Sequence, residues 1–173
     1  MTVEIRQARP EDEAALREID AATWSADVSP APPPPAGKAF FDGRIQPADV
    51  LVAEIASAEI ASAEVASAVV GYAALGSATA LASNAHVMVV RSVAVDPARQ
   101  RRGAGRRLME ASVAEARARG ARKLVLRVLG VNVRARQLYE SCGFQVEGIL
   151  REEFFLDGRY VDDVLMARTL IAG

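Results

Sequence analysis

Val93-Ala94-Val95-Asp96-Pro97-Ala98-Arg99-Gln100-Arg101-Arg102-Gly103-Ala104-Gly105-Arg106 is the stretch on which the fold turns. Its apolar start reads as the end of a strand. Asp96-Pro97 breaks that strand, because proline has no N–H for a ladder. From Arg106 to Arg119 the pattern becomes helical, with Leu108, Met109, Ser112, Val113 and Ala116 on one side. A glycine-rich loop therefore joins a strand to a helix N-terminus. The first-turn N–H groups of such a helix have no intrahelical acceptor and lie at the positive end of its dipole. Phosphate and pyrophosphate groups bind there. Gly103 and Gly105 remove a Cβ from the path of approach, and Arg101, Arg102 and Arg106 add positive charge.

The loop is not a P-loop, since no Gly-Lys-Ser/Thr follows. It is not the dinucleotide fingerprint either, because Arg107-Leu108 stands where a third small residue belongs.

Composition narrows the class. A chain of 173 residues, 51% hydrophobic and 25% charged, reads as a single globular domain with a substantial core. The formal net charge of −1 gives no electrostatic case for nucleic acid or an anionic membrane. A lone cysteine, Cys142, excludes an internal disulfide and suits a reducing cytoplasm. The first residues hold no apolar core of a secretion signal, and no run approaches the roughly 20 apolar residues of a membrane span.

Around the loop the elements fall in order. Val3 to Ala8 alternates as a first strand. Pro10 opens a helix reaching about Trp24, with Leu16, Ile19 and Thr23 inward. The proline-rich segment from Val28 to Gly37 is a stiff loop, a plain connector or a lip over the substrate, and a short helix from Ala36 to Ile45 is expected after it. Val50–Ile55 and Val69–Leu75 are strands. Between them a five-residue period repeats at Glu54, Glu59 and Glu64, read as a duplicated hairpin extension over residues 54–68 without chemistry of its own. Ala85–Val95 is apolar enough for a central strand. After the loop and its helix come a strand from Lys123 to Val128, a short helix from Asn132 to Cys142, and a hairpin of Phe144–Leu156 and Arg159–Leu170 turned at Asp157-Gly158. The fold class is α/β, a mixed sheet of about seven strands with about four helices.

Two segments carry a resemblance. Gln100-x-x-Gly103-x-Gly105 matches the pyrophosphate signature of the GNAT acyltransferase superfamily. Asn132-x-x-Ala135-x-x-Leu138-Tyr139-Glu140-x-x-Gly143-Phe144 is similar to its second signature, and the element order resembles the GNAT topology along the whole chain. The tail, with Glu147-Gly148, Arg151, Asp157-Gly158 and Tyr160-Val161-Asp162, resembles bacterial L-amino-acid and phosphinothricin-type N-acetyltransferases. The resemblance implies acetyl-CoA as cosubstrate and no metal. It implies that Val93, Ala94 and Val95 present backbone groups to the pantetheine arm and acyl carbonyl. Gln100, Arg101, Arg102, Gly103, Ala104, Gly105 and Arg106 would hold the pyrophosphate. Asn132 and Ala135 would meet the pantetheine, with capping of its own helix as the other reading of Asn132. Tyr139 would protonate the leaving sulfur, the other reading being a half-buried aromatic with its hydroxyl in water.

The base is less legible. The strand Ala85–Val95 has no Asp or Glu, Glu54 is a weak candidate, and His86 is either structural or part of the acceptor site. Cys142 reads as a small buried hydrophobe rather than a nucleophile. An α-amine of pKa about 8 needs less help than a lysine amine near 10.4. The expected acceptor is thus a small-molecule amine, an L-amino acid or analogue, with Arg91 or Arg44 for its carboxylate and Trp24, Phe40 and Phe41 around an apolar lip. A protein N-terminal or ribosomal-protein acetyltransferase, or a non-catalytic acyl-CoA-binding module, are the alternatives. A homodimer is compatible with these features.

Overall fold

The computed structural model describes residues 2–56 and 67–170. Residues 57–66 of the five-residue repeat, expected above as a hairpin extension, lie outside the described residues. Of the repeat's flanks, Ile55 and Ala56 pair with Ala68 and Ser67.

The elements run β1 (Val3–Gln7), α1 (Glu13–Thr23), β2 (Val50–Ala56), β3 (Ser67–Ser77), β4 (Val87–Val95), α2 (Ala104–Ala118), β5 (Lys123–Leu129), α3 (Val133–Ser141), β6 (Gln145–Leu156) and β7 (Arg159–Thr169). Among the described residues the sheet has seven strands in the order β1-β2-β3-β4-β5-β7-β6, as an α/β mixed sheet. The described residues hold three α-helices, not about four. None of them is long and apolar enough to cross a membrane.

The missing helix is the one expected from Ala36 to Ile45. Gly37 and Gly43 both sit at positive φ, +79° and +86°, which no α-helix tolerates. The N–H groups of Phe40 and Phe41 go to the Glu13 carboxylate at 2.6 and 3.0 Å rather than to carbonyls one turn back. The Arg44 N–H goes to the Asp42 side chain at 3.1 Å, a local Asx turn that competes with helix.

Two compact units make up the chain: residues 1–23, 34–75 and 92–112 in one, residues 24–33, 76–91 and 113–173 in the other. In the first, Pro10 starts a 3-10 turn before α1, and Asp12 accepts the Arg9 N–H at 2.7 Å. Leu16 and Ile19 of α1 bury against Val50, Val52, Tyr72, Ala74 and Ala94, with Phe40 of the loop in the same cluster. Each such aliphatic side chain contributes about 1.5–3 kcal/mol by leaving water. Gly71 of β3 carries no side chain for a steric reason: a Cβ there would stand 2.8 Å from the Ala94 carbonyl oxygen of β4.

Arg6 of β1 ties this unit's polar edge. Its guanidinium donates to both carboxylate oxygens of Asp12, at 2.8 and 2.9 Å, and to Glu54 at 3.0 and 3.2 Å. The Ser67 hydroxyl adds a 2.5 Å bond to Glu54. Arg6 holds both carboxyls below their usual range. Depressed carboxylates stabilise the fold above the usual carboxylate range, and that stabilisation is lost as pH falls through the depressed values. Arg6→Ala strands Asp12, which is 8% exposed, so a loss of about 2 kcal/mol is expected at pH 7. Denaturant titration should show the gap to wild type closing as pH falls below the ordinary carboxylate range and through the depressed values, where both acids become protonated.

In the second unit β4 and β5 are parallel over Val87–Val89 and Lys123–Val125. β5, β7 and β6 follow antiparallel, with Leu126 opposite Met166 and Ile149 opposite Val164. Asp157 and Gly158, at φ +47° and +78°, turn the β6–β7 hairpin as the type I′ geometry requires. At the end of α2, Gly120 at φ +81° and the 2.9 Å bond from Ala121 N–H to the Ala116 carbonyl stop the helix.

Candidate active site

The first unit carries the glycine-rich loop. β4 ends at Val95, and Asp96 caps a 3-10 turn by accepting the Ala98 N–H at 2.9 Å. The Gln100 side-chain amide donates to the Val95 carbonyl at 3.0 Å, closing the loop on itself. Arg101 at φ +64° and Gly103 at φ +89° then reverse the chain into α2. Around Gly103 a Cβ would meet nothing within 4 Å, so its backbone angle, not local crowding, is what calls for glycine there. Gly105 lies inside α2. The Gly103 carbonyl accepts from Arg107 N–H at 3.1 Å, which starts the helix's hydrogen bonding. Arg101, Arg102 and Arg106 are exposed at this positive end. Val93, Ala94 and Val95 lead into the loop, Ala94 buried and its neighbours half-buried.

In the second unit α3 carries Ala135 and Tyr139, with Asn132 at its N-cap. Asn132 caps the helix: its side-chain oxygen accepts the Ala135 N–H at 3.1 Å. The capping reading of Asn132 therefore holds, and it occupies the Ala135 N–H. Tyr139 is half-buried beside Phe144, with ring centroids 6.3 Å apart. Burial, with the nearby Cys142 thiol, pushes its phenol up to about 12. It is therefore a protonated hydroxyl at any physiological pH. Cys142 is buried at the helix end, where its carbonyl accepts from Arg168 at 2.6 Å. It is a packed residue, as expected.

Several other expected residues are placed elsewhere. Glu54 is held by Arg6 and Ser67, which leaves it no role as a base. His86 is exposed just before β4, its carbonyl accepting from Arg122 N–H. Arg91 lies over Gly76 of β3, where a Cβ would fall 2.3 Å from its Nε. Arg44 is exposed on its loop. The Trp24 indole donates to the Ala31 carbonyl at 2.9 Å, inside the segment 24–33. Phe41 packs against the first unit's core.

Sequence reasoning missed a polar pocket in the first unit. Its cavity of about 90 Å³ is lined by Arg17 and Asp20 of α1, Lys38, Phe40 and Asp42 of the loop, Tyr72 of β3 and Ser92 of β4, among others. Tyr72, 1% exposed, donates its hydroxyl to Asp20 at 2.5 Å. Phe40 packs edge-on against the Tyr72 ring at 4.8 Å. The Glu13 bonds to Phe40 and Phe41 N–H hold this side of the loop in place. Ser92 is the residue immediately before Val93, so the pocket adjoins the strand end that leads into the glycine loop. The only signals for it were Asp20 on the inner side of α1 and a tyrosine in an otherwise apolar strand. Among the described residues no group of three or more His, Cys, Asp or Glu stands together to hold a metal.

Comparison with known proteins bears on this arrangement. The family model described as "Acetyltransferase (GNAT) family" matches residues 14–144. The [ribosomal protein bS18]-alanine N-acetyltransferase of Escherichia coli K12 is 42% identical over 78 residues, 44% of this chain. The chain spans about half the length of that relative, 51%. The crystal structure of smu.2055 from Streptococcus mutans UA159 superposes with a TM-score of 0.78 at 28% identity, covering 99% of this chain and 100% of that one. The structure of yncA, a putative acetyltransferase from Salmonella typhimurium with its cofactor acetyl-CoA, has the same fold, with a TM-score of 0.76 at 24% identity over 100% of this chain and 96% of that one. With the family's matched region spanning both the glycine loop and α3, this chain belongs to the GNAT acetyltransferase family.

Proposed function

We propose that the protein transfers an acetyl group from acetyl-CoA to the α-amine of a small zwitterion, an L-amino acid or close analogue. The pocket beside the end of β4 carries this reading: it is small and presents Asp20 and Asp42 together with Arg17 and Lys38. A zwitterion presents an ammonium and a carboxylate a few ångströms apart, and the mixed charge of this pocket matches both. The first-turn N–H groups of α2 and Arg101, Arg102 and Arg106 take the pyrophosphate. Val93, Ala94 and Val95 present backbone groups to the pantetheine and the acyl carbonyl. The neutral amine then attacks the thioester within a ternary complex, and Tyr139 gives a proton to the departing sulfur. Support for acetyl-CoA comes from the family and from the acetyl-CoA bound in the yncA structure.

A second reading, a protein N-terminal acetyltransferase, is favoured by the similarity to the bS18-alanine enzyme. Release of free CoA across a panel of methionine, phenylalanine, their amides, spermidine and a short peptide separates the two. Faster turnover of the free amino acids is expected, and faster turnover of the peptide or the polyamine overturns the first reading. The pH profile is a further check. Because the Tyr139 phenol is raised to about 12, its protonated form is complete below about pH 10. The rate at limiting amino acid should rise with pH through the amine's own pKa and show no falling limb from Tyr139 up to pH 10. A falling limb near pH 8–9 that Tyr139→Phe removes would contradict it.

A further inference from the structure

We propose that Asp20 is the carboxylate that docks the acceptor's ammonium and first receives its proton. This rests on the acetyl-transfer reading above and goes beyond it by supplying the group that β4 lacks.

Asp20 lines the pocket from α1. The Tyr72 hydroxyl donates to its Oδ1 at 2.5 Å, and the Ser92 hydroxyl bonds the Tyr72 oxygen in turn. This is a directed chain from β4 through β3 to α1, and it fixes the orientation of the carboxylate. Tyr72 remains a donor throughout, since burial and the adjacent Asp20 charge raise its phenol far above the ordinary range. Among the described residues, no hydrogen bond is made to Asp20 Oδ2. The other charged groups at the pocket are already disposed differently. Asp42 accepts the Arg44 N–H at 3.1 Å and pairs with Lys38 at 3.6 Å. Arg17 and Lys38 are cations and cannot receive an ammonium. Asp20 is thus the pocket carboxylate with an oxygen left for the amine.

The step balances. The ammonium loses one proton to Asp20, which passes it to water. The freed lone pair forms the C–N bond to the acyl carbon as the C–S bond breaks, and the nitrogen loses its second proton to water as the neutral amide forms. The sulfur takes a proton from Tyr139, which regains one from water, so one proton is released for each acetyl group transferred.

The test is Asp20→Asn, whose amide oxygen still accepts from Tyr72. With methionine as acceptor, KM for the amine at pH 7 should rise roughly 30-fold, as for a lost charge-assisted bond, while KM for acetyl-CoA stays unchanged. The difference should shrink to a few-fold by pH 10, where the amine is already neutral. A loss independent of pH, or no loss, overturns the role of Asp20 while leaving the acetyl-transfer reading standing. A wild-type protein that releases no CoA with any amine of the panel overturns both. Unfolding temperature of the variant, expected within a few degrees of wild type, shows whether the change acts through folding. A large drop in that temperature with equal loss at every pH makes Asp20 a structural residue and rejects the proposal.

Discussion

Gly105→Glu should weaken acetyl-CoA binding roughly 100-fold, or about 2.7 kcal/mol, without destabilising the fold. The substitution places a carboxylate in the first turn of α2, where the proposed pyrophosphate would meet the helix's N–H groups. Repulsion between the two anions, added to lost charge-assisted bonds, accounts for that magnitude. The same carboxylate helps the helix itself. A residue other than glycine within a helix stabilises by about 0.5–1 kcal/mol, and an acid near the N-terminus adds about 0.3–1 kcal/mol. Gly105 is the informative position because Gly103 is not neutral: at φ +89° any side chain there strains the backbone, and lost binding would be confounded with a disturbed loop. Calorimetric titration with acetyl-CoA and a thermal melt give the two quantities. Wild-type affinity in Gly105→Glu would remove the loop from the cofactor site.

Tyr139→Phe should lower kcat by roughly 10²–10⁴-fold while changing KM for acetyl-CoA little, since a proton donor acts in the transition state. The phenylalanine ring keeps the packing against Phe144, so stability should hold. With its phenol at about 12, Tyr139 is less acidic than the thiol it serves, near 8.5. Transfer of its proton to the sulfur is therefore uphill, so it accompanies C–S cleavage and is drawn forward as water returns a proton to the tyrosine. Near-normal kcat at pH 7 to 8 in the variant would assign the acid role to water or another group.

The two experiments probe different units of the chain, the glycine loop in one and α3 in the other. Retained acetyl-CoA binding in Tyr139→Phe together with lost binding in Gly105→Glu would separate holding the cofactor from turning it over. Asp20→Asn then isolates the acceptor.

The strand–loop–helix around Gly103, the short helix expected from Asn132 to Cys142 and found at Val133–Ser141, the β6–β7 hairpin and the order of the strands along the chain were legible in the amino-acid sequence because each is written in local terms. Strand breaking by Asp96-Pro97, a glycine at positive φ, a helical stripe and a two-residue Asp-Gly turn depend on neighbours a few residues away. What lay beyond reach joins residues far apart. Glu54 was a candidate base until Arg6, 48 residues earlier, was found to hold it. Residues 36–45 had helical composition, yet Glu13, 27 residues before Phe40, takes the N–H groups a helix would use. Asp20 and Tyr72, 52 apart, meet only because α1 packs on the sheet across β3. Local periodicity sets which elements form, whereas the acceptor pocket is made by which side chains the packed sheet and helix bring opposite one another.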